Sequence, residues 1–258
     1  MISEDLNISV RGLSHAYGQH IVLDDITLEV RRGEFYGFLG QNGAGKSTAI
    51  RALCGFLQPQ EGAIFVAGVD VVQNPTEIRR VIGVVSDDIE LYDRLTAIEF
   101  LEFAGQMHGL SGRESRIRAT DLLERLDLVD ASTRPIVGYS LGMKKKTMFA
   151  AALIHAPKVL FLDEPFNGVD ALTTRTLCSM LKWLAAEMKV TMFFTSHALD
   201  MAERLCDRIA ILHNGKIARE GTIGELREDA EQHDASLEEI FLKLTGARTD
   251  VDAALAWY

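Results

Sequence analysis

Two short stretches of this chain carry side chains that could do chemistry together. The first, LGQNGAGKST, brings Gly40, Asn42, Gly43, Gly45, Lys46, Ser47 and Thr48 into one loop. It matches the pattern G-x-x-x-x-G-K-[ST]. Glycines at these positions let consecutive backbone N–H groups turn inward around an anion. Lys46 adds a full positive charge suited to terminal phosphates, and Ser47 offers a hydroxyl to Mg2+. The second stretch, VLFLDEP, is an apolar run that ends in Asp163 and Glu164. Burying an unpaired carboxylate is expensive, so each acid needs a cation, a hydrogen bond or water. Adjacent residues on a strand point to opposite faces, so the two acids should do different jobs.

The elements around these stretches give them context. FYGFLG, from Phe35 to Gly40, reads as a short buried strand, and a helix is expected from Lys46 through AIRALCGF. That helix would point its positive end at the same anion. A phosphate loop of this kind usually has a second acidic strand end beside it. Asp163 is then expected to hold Mg2+, directly or through water, and Glu164 to polarise an attacking water. The plainer alternative for Glu164 is a cap or salt bridge on the following turn.

Composition bounds the possibilities. The chain has 258 residues, 47% of them hydrophobic, and a formal net charge of −10. Such a length supports a large core or two unequal domains. The acidic balance argues against nucleic acid as a partner. An anionic ligand would need strong local positive potential, which the Lys46 loop supplies. Cys54, Cys178 and Cys206 are odd in number and widely spaced, and read as inert thiols in a reducing compartment. The opening MISEDLNIS lacks the basic and apolar regions of a signal peptide. No apolar run approaches the roughly 18 residues of a membrane span, so a membrane role would require a partner.

Along the chain, ISVRGLSHAY and VLDDITLEV show the partial alternation of half-exposed antiparallel strands, and AIFVAG and VIGVVS read as further strands. QNPTEIRR reads as a short helix between them. After about Asp88 the pattern turns helical. Ile98, Leu101, Ala104 and Met107 share helical spacing, as do Ile117, Leu122, Leu123 and Leu126, and YSLGMKKKTMFAAALIH adds a third helix. Strand and helix alternate again from KVLFLD onward, the pattern of a mostly parallel sheet covered by helices. SLEEIFLKLTG closes the pattern as an amphipathic helix before a short tail.

Three further stretches point to one family. YSLGMKKK, Tyr139 to Lys146, resembles the LSGGQ signature of ATP-binding cassette proteins. FNGVD, Phe166 to Asp170, resembles their D-loop, and TSH, ending at His197, resembles their switch histidine. With the phosphate loop and the acidic strand, five motifs stand in the family's order across roughly residues 8–246. The resemblance implies an α/β P-loop NTPase core with a mixed sheet, an N-terminal antiparallel β subdomain and an inserted α-helical subdomain. Residues 1–87 and 158–246 would form the core with its antiparallel subdomain. Residues 88–157 would form the helical subdomain that carries the signature, and 247–258 a C-terminal tail.

The same resemblance implies a mechanism. Two cassettes, copies of this chain or one paired with a different cassette, would trap two ATP molecules head to tail. Tyr17 would stack on adenine, although by itself it reads as a plain strand aromatic. Ser140 and Gly142 would contact the partner's γ-phosphate, Asp170 would join the two sites, and His197 would contact the γ-phosphate and hold the water. Lys144, Lys145 and Lys146 fall in the first turn of the signature helix, where the helix dipole disfavours cations. A docking anion would offset this; a solvated basic face is the alternative for Lys145 and Lys146. The pattern most resembles the ATPase subunits of separate-subunit exporters of the multidrug, antibiotic or polysaccharide kind. Those work with an integral membrane permease at the cytoplasmic face, whose helix enters a groove that residues from Asp87 to about Phe103 would line.

Two departures stand out. Asp87 falls where the family carries glutamine; aspartate is shorter, negative, and has no amide to donate, though it could help coordinate Mg2+. Leu141 and Met143 replace the middle glycine and the glutamine of the signature. The alternatives are a soluble cassette in an assembly role, a weakly hydrolysing cassette, or a P-loop GTPase or kinase. A GTPase would need N-K-x-D, and NGVD at Asn167 lacks the lysine.

Overall fold

The computed structural model describes residues 5–89, 91–229 and 236–245. The expected tail, 247–258, lies outside the described residues. Two long strands, β1 (Leu6–Tyr17) and β2 (His20–Arg31), pair antiparallel. β3 (Phe35–Gly40) follows, then α1 (Lys46–Leu53) and β4 (Glu61–Val66), β5 (Val69–Asp70) and β6 (Ile82–Val85). Next come the helices α2 (Ala97–Met107), α3 (Gly112–Arg125) and α4 (Leu141–Leu153). β7 (Val159–Asp163), α5 (Ala171–Met188), β8 (Thr191–Ser196), α6 (Leu199–Leu205), β9 (Arg208–His213), β10 (Lys216–Gly221), α7 (Ile223–Asp229) and α8 (Leu237–Thr245) complete the order.

The strands form two sheets. One is antiparallel, in the order β2-β1-β4-β5. The other runs β10-β9-β3-β8-β7-β6, parallel except for β10 against β9. Its central strands are buried on both faces, so they read as continuous apolar runs without polar alternation. Their residues alternate between two cores. Tyr36, Phe38, Phe161 and Phe193 face α1 and the antiparallel sheet. Phe35, Leu39, Leu160, Leu162 and Phe194 face the helical side. β3, β7 and β8 are interior strands that run parallel, so their C-terminal residues Gly40, Asp163 and Ser196 gather at one end of the sheet.

Some helices differ from their sequence reading. α1 stops at Leu53, short of Phe56, because Gly55 takes a left-handed turn. Phe56 N–H donates to Arg51 O and Gly55 N–H to Ala52 O, the paired bonds of a Schellman cap. The QNPTEIRR segment holds only a single 3-10 turn, Ile78–Arg80, since Ile78 alone anchors it in the core. Met107 and Ile117 are exposed, not inward as their spacing suggests. α2 and α3 meet instead through small groups: a Cβ on Gly105 would lie 2.7 Å from Ser115 Oγ. The buried stripes are therefore Ala97, Phe100, Leu101 and Gly105 on α2, and Ser115, Ala119 and Leu123 on α3.

The helical segment meets the sheet at one close approach. A Cβ on Gly83 would lie 2.2 Å from Ala152 O, so only glycine lets α4 lie against β6. Gly83→Ala should therefore lower stability by about 1–3 kcal/mol, the usual cost of overpacking a tight site. The urea midpoint reads this directly; an unchanged midpoint would mean that α4 can back away freely.

Candidate functional site

Gly45 is the N-cap residue of α1, with φ 109° and no capping side chain. A Cβ there would lie 2.7 Å from Val22 O, so this left-handed turn needs glycine on two counts. The first N–H groups of α1 have no side-chain partner among the described residues, and such groups at the positive end of a helix are suited to an anion. Asn42, Gly43 and Ser47 are exposed around it, and Thr48 is half-buried. Lys46 is buried, and its ammonium donates to Gly40 O at 2.7 Å and to Gln41 O at 3.3 Å.

The two acids of VLFLDEP do part company. Asp163 accepts a hydrogen bond from Thr195 Oγ1 at 2.5 Å, its register partner on β8. Glu164 lies just beyond the strand, buried, in the left-handed region at φ 47°. One of its carboxylate oxygens is 3.7 Å from Lys46 Nζ. The other is 2.9 Å from His197 Nδ1 and accepts from the His197 backbone N–H at 3.2 Å. A left-handed glutamate costs about 1–2 kcal/mol, so its surroundings must hold it there.

A second cluster continues from the same segment. Asp170 caps α5 by accepting from the N–H groups of Leu172 and Thr173, both at 3.0 Å. Ser140 caps α4, accepting from Met143 N–H at 3.3 Å. Gly142 packs where the two helix starts meet: a Cβ would lie 2.9 Å from Thr173 Oγ1 and 3.1 Å from Asp170 Oδ2. Gly142 thus has a role within its own chain that its place in the signature does not suggest. Tyr17 stands at the end of β1, half exposed, its ring edge-on to buried His15 at 4.8 Å.

The lysine run is not a uniform basic face. Lys144 pairs with Asp93 at 3.3 Å, but Lys145 is 1% exposed. The solvated alternative fails for Lys145 because it falls on the buried stripe of α4 with Gly142, Phe149 and Ala152. Its ammonium donates to Asp87 O at 2.9 Å and Ser86 O at 3.3 Å, and lies 4.0 Å from Asp87 Oδ1. Burial pushes its pKa down, opposed by the charges of Asp87 and Asp88. Asn167 Nδ2 donates to the same Asp87 oxygen at 3.2 Å. Asn167, within FNGVD, and Thr195, within TSH, are not themselves singled out as site residues by the sequence. Thr195 becomes visible only through its register with Asp163.

A groove of about 510 Å³ opens beside this loop, lined by Phe56, Arg79, Ser86, Asp88, Phe100, Met148 and His155, among others. His108 and His155 stack at 3.7 Å on its wall. Burial, reinforced by His108, pushes the His155 pKa down to about 4, so the imidazole is neutral at physiological pH. A larger hollow of about 850 Å³, around Trp183 and Met188, includes none of the residues of either cluster.

Comparison with known proteins agrees in one direction. A family model described as ABC transporter matches residues 23–167. The ABC transporter ATP-binding protein NatA of Bacillus subtilis (strain 168) is 36% identical over 211 residues, 81% of this chain and 85% of that protein. The daunorubicin resistance ATP-binding protein DrrA3 of Streptomyces coeruleorubidus is 37% identical over 261 residues, 97% of this chain and 82% of that protein. A solved ATP-binding subunit of an ABC transporter superposes with TM-score 0.86 at 35% identity, over 92% of this chain and 99% of that one. A dimeric post-hydrolysis state of the ATP-binding cassette MJ0796, bound to ADP and Pi, gives TM-score 0.77 at 26% identity, over 84% of this chain and 98% of that one.

The cap on α5 yields a pH test. Hydrogen bonds from Thr173 hold the Asp170 carboxyl below its ordinary 3.8. A depressed carboxyl stabilises the fold above its unfolded pKa and loses that contribution as pH falls through the folded value. Asp170→Ala should therefore lower the melting midpoint at pH 7, and the gap from the parent should close progressively below about pH 4. A gap that stays constant down to pH 3 would remove the carboxylate from the cap.

Proposed function

Since this chain belongs to the ABC transporter family, we propose that it is the ATP-hydrolysing subunit of an exporter and works as one half of a two-cassette dimer. The observation that carries this reading is the meeting of Lys46, Glu164 and His197 at the C-terminal end of the parallel strands. A cation for phosphate, a carboxylate for water and an imidazole beside it are the parts that phosphoryl transfer to water requires.

The roles follow from position. Backbone N–H groups of the loop 40–48 cradle the phosphates, and Lys46 draws its charge toward the terminal ones. Glu164 takes the proton of the attacking water, with His197 holding that water in line. Tyr17 offers its exposed ring to adenine. Ser140 and Gly142 present the start of α4 to the nucleotide held by the opposite cassette, and Asp170 links the two sites.

Mg2+ fits the donors that are present. Ser47 and Asp163 supply hard oxygen ligands, and Asp163 is oriented by Thr195. Among the described residues no cluster of three or more His, Cys, Asp or Glu could hold a metal. Mg2+ needs no such cage, because it binds through one or two protein oxygens together with substrate phosphates and water. Once bound, it would neutralise charge on the phosphate oxygens. Asp87, the other candidate, has its Oδ1 engaged by Asn167 at 3.2 Å and faces Lys145 at 4.0 Å.

No helix among the described residues is long and apolar enough to cross a membrane. In this reading an integral membrane permease holds the chain at the cytoplasmic face. The groove between β6 and the helices α2 and α4 receives an apolar helix of that permease. Residues 1–87 and 158–246 act as the nucleotide-binding core and 88–157 as the helical subdomain. The relatives named for drug resistance favour export, and two copies of this chain are the simplest dimer.

Glu164→Gln tests the assignment. It should keep ATP binding, lower turnover by about 100-fold or more, as loss of a general base does, and accumulate an ATP-bound dimer on gel filtration. A glutamine variant that turns over at the parental rate would refute the role given to Glu164.

A further inference from the structure

Lys145 carries charge on the one stripe of α4 that is otherwise buried. Its ammonium joins three parts of the chain: the signature helix, the loop after β6, and, through Asp87, the segment that carries Glu164. Asn167, which completes that link, also donates its backbone N–H to Glu164 O at 3.3 Å. The groove lies along the same parts, for Ser86 and Asp88 line one side and Met148 and Ala152 of α4 the other. Anything seated in the groove therefore bears on both ends of the Lys145 contact.

Charge explains why an aspartate is tolerated here. A bare carboxylate in the catalytic edge would repel the phosphates that Lys46 attracts. With a lysine ammonium 4.0 Å from its oxygen, Asp87 forms a pair of zero net charge. Asp88 and Asp163 are the other acids that Lys145 feels.

We propose that Lys145 is a positioning residue for hydrolysis, whose ammonium fixes the Ser86–Asp87 backbone to the signature helix and neutralises the Asp87 carboxylate held by Asn167. It makes the loop beside the groove and the loop beside Glu164 one mechanical unit. The proposal rests on the ATPase reading above and adds a regulatory element to it.

The test is a double-mutant cycle on steady-state ATPase kinetics of the full chain with Mg2+ present. Lys145→Met keeps the buried volume, and Asp87 is half exposed, so no charge is stranded in the core. Lys145→Met should lower kcat/KM about tenfold, mainly by raising KM for ATP, the scale expected of contacting residues in one network. Adding Asp87→Asn should recover kcat/KM to within about threefold of Asp87→Asn alone, because the unpaired charge is gone. Lys145→Arg, which keeps the charge, should retain most of the activity. Equal losses in both backgrounds, or an unaffected Lys145→Met, would overturn the proposal and leave Lys145 a structural anchor. A parent chain with no ATPase activity would instead overturn the hydrolytic reading itself.

Discussion

An ammonium withdrawn from water must be surrounded by oxygen, and that requirement on Lys46 shapes this end of the parallel sheet. Its nitrogen is held by the carbonyls of Gly40 and Gln41, which fixes the curl of the loop. It also stands opposite Glu164. Such contacts are electrostatically stronger than in water, because the surroundings are poor in mobile dipoles. An acidic protein can attract nucleotide only by concentrating positive potential in one place. Here that potential comes from one side chain and one helix start.

The sheet makes this concentration possible. Strands buried on both faces divide their residues between two cores, and β7 ends at Asp163, where the chain turns into the left-handed region at Glu164. Asp163 and Glu164 are adjacent in sequence yet meet different partners, Thr195 for the first and Lys46 with His197 for the second. Parallel pairing brings the C-terminal ends of β3, β7 and β8, at Gly40, Asp163 and Ser196, to the same end of the sheet. The antiparallel sheet contributes by contact: Val22 O leaves no room for a Cβ at Gly45, which opens α1.

Most of this was legible in the residues. Glycine spacing around Lys46, the apolar run before Asp163 and the change to helical periodicity after Asp88 each announce their element. The contents of the helical segment were harder to read. Apolar spacing favoured Met107 and Ile117, yet α2 and α3 cross closely through Gly105 and Ser115, and the larger side chains are pushed outward. The lysine triplet hid its buried member, because charge suggests solvent while position relative to Phe149 decides burial. The partners of Asp87 were invisible for another reason. Asn167 and Lys145 reach it from segments far apart in sequence, and only the tertiary fold joins them.

The left-handed backbone of Glu164 has a consequence for how this sequence can drift. Glycine at that position would relieve the strain, but it would also strip buried Lys46 of its carboxylate partner and the His197 N–H of its acceptor, so one change carries two opposed effects on stability. Drift away from glutamate is therefore opposed by the buried cation even where the backbone invites it.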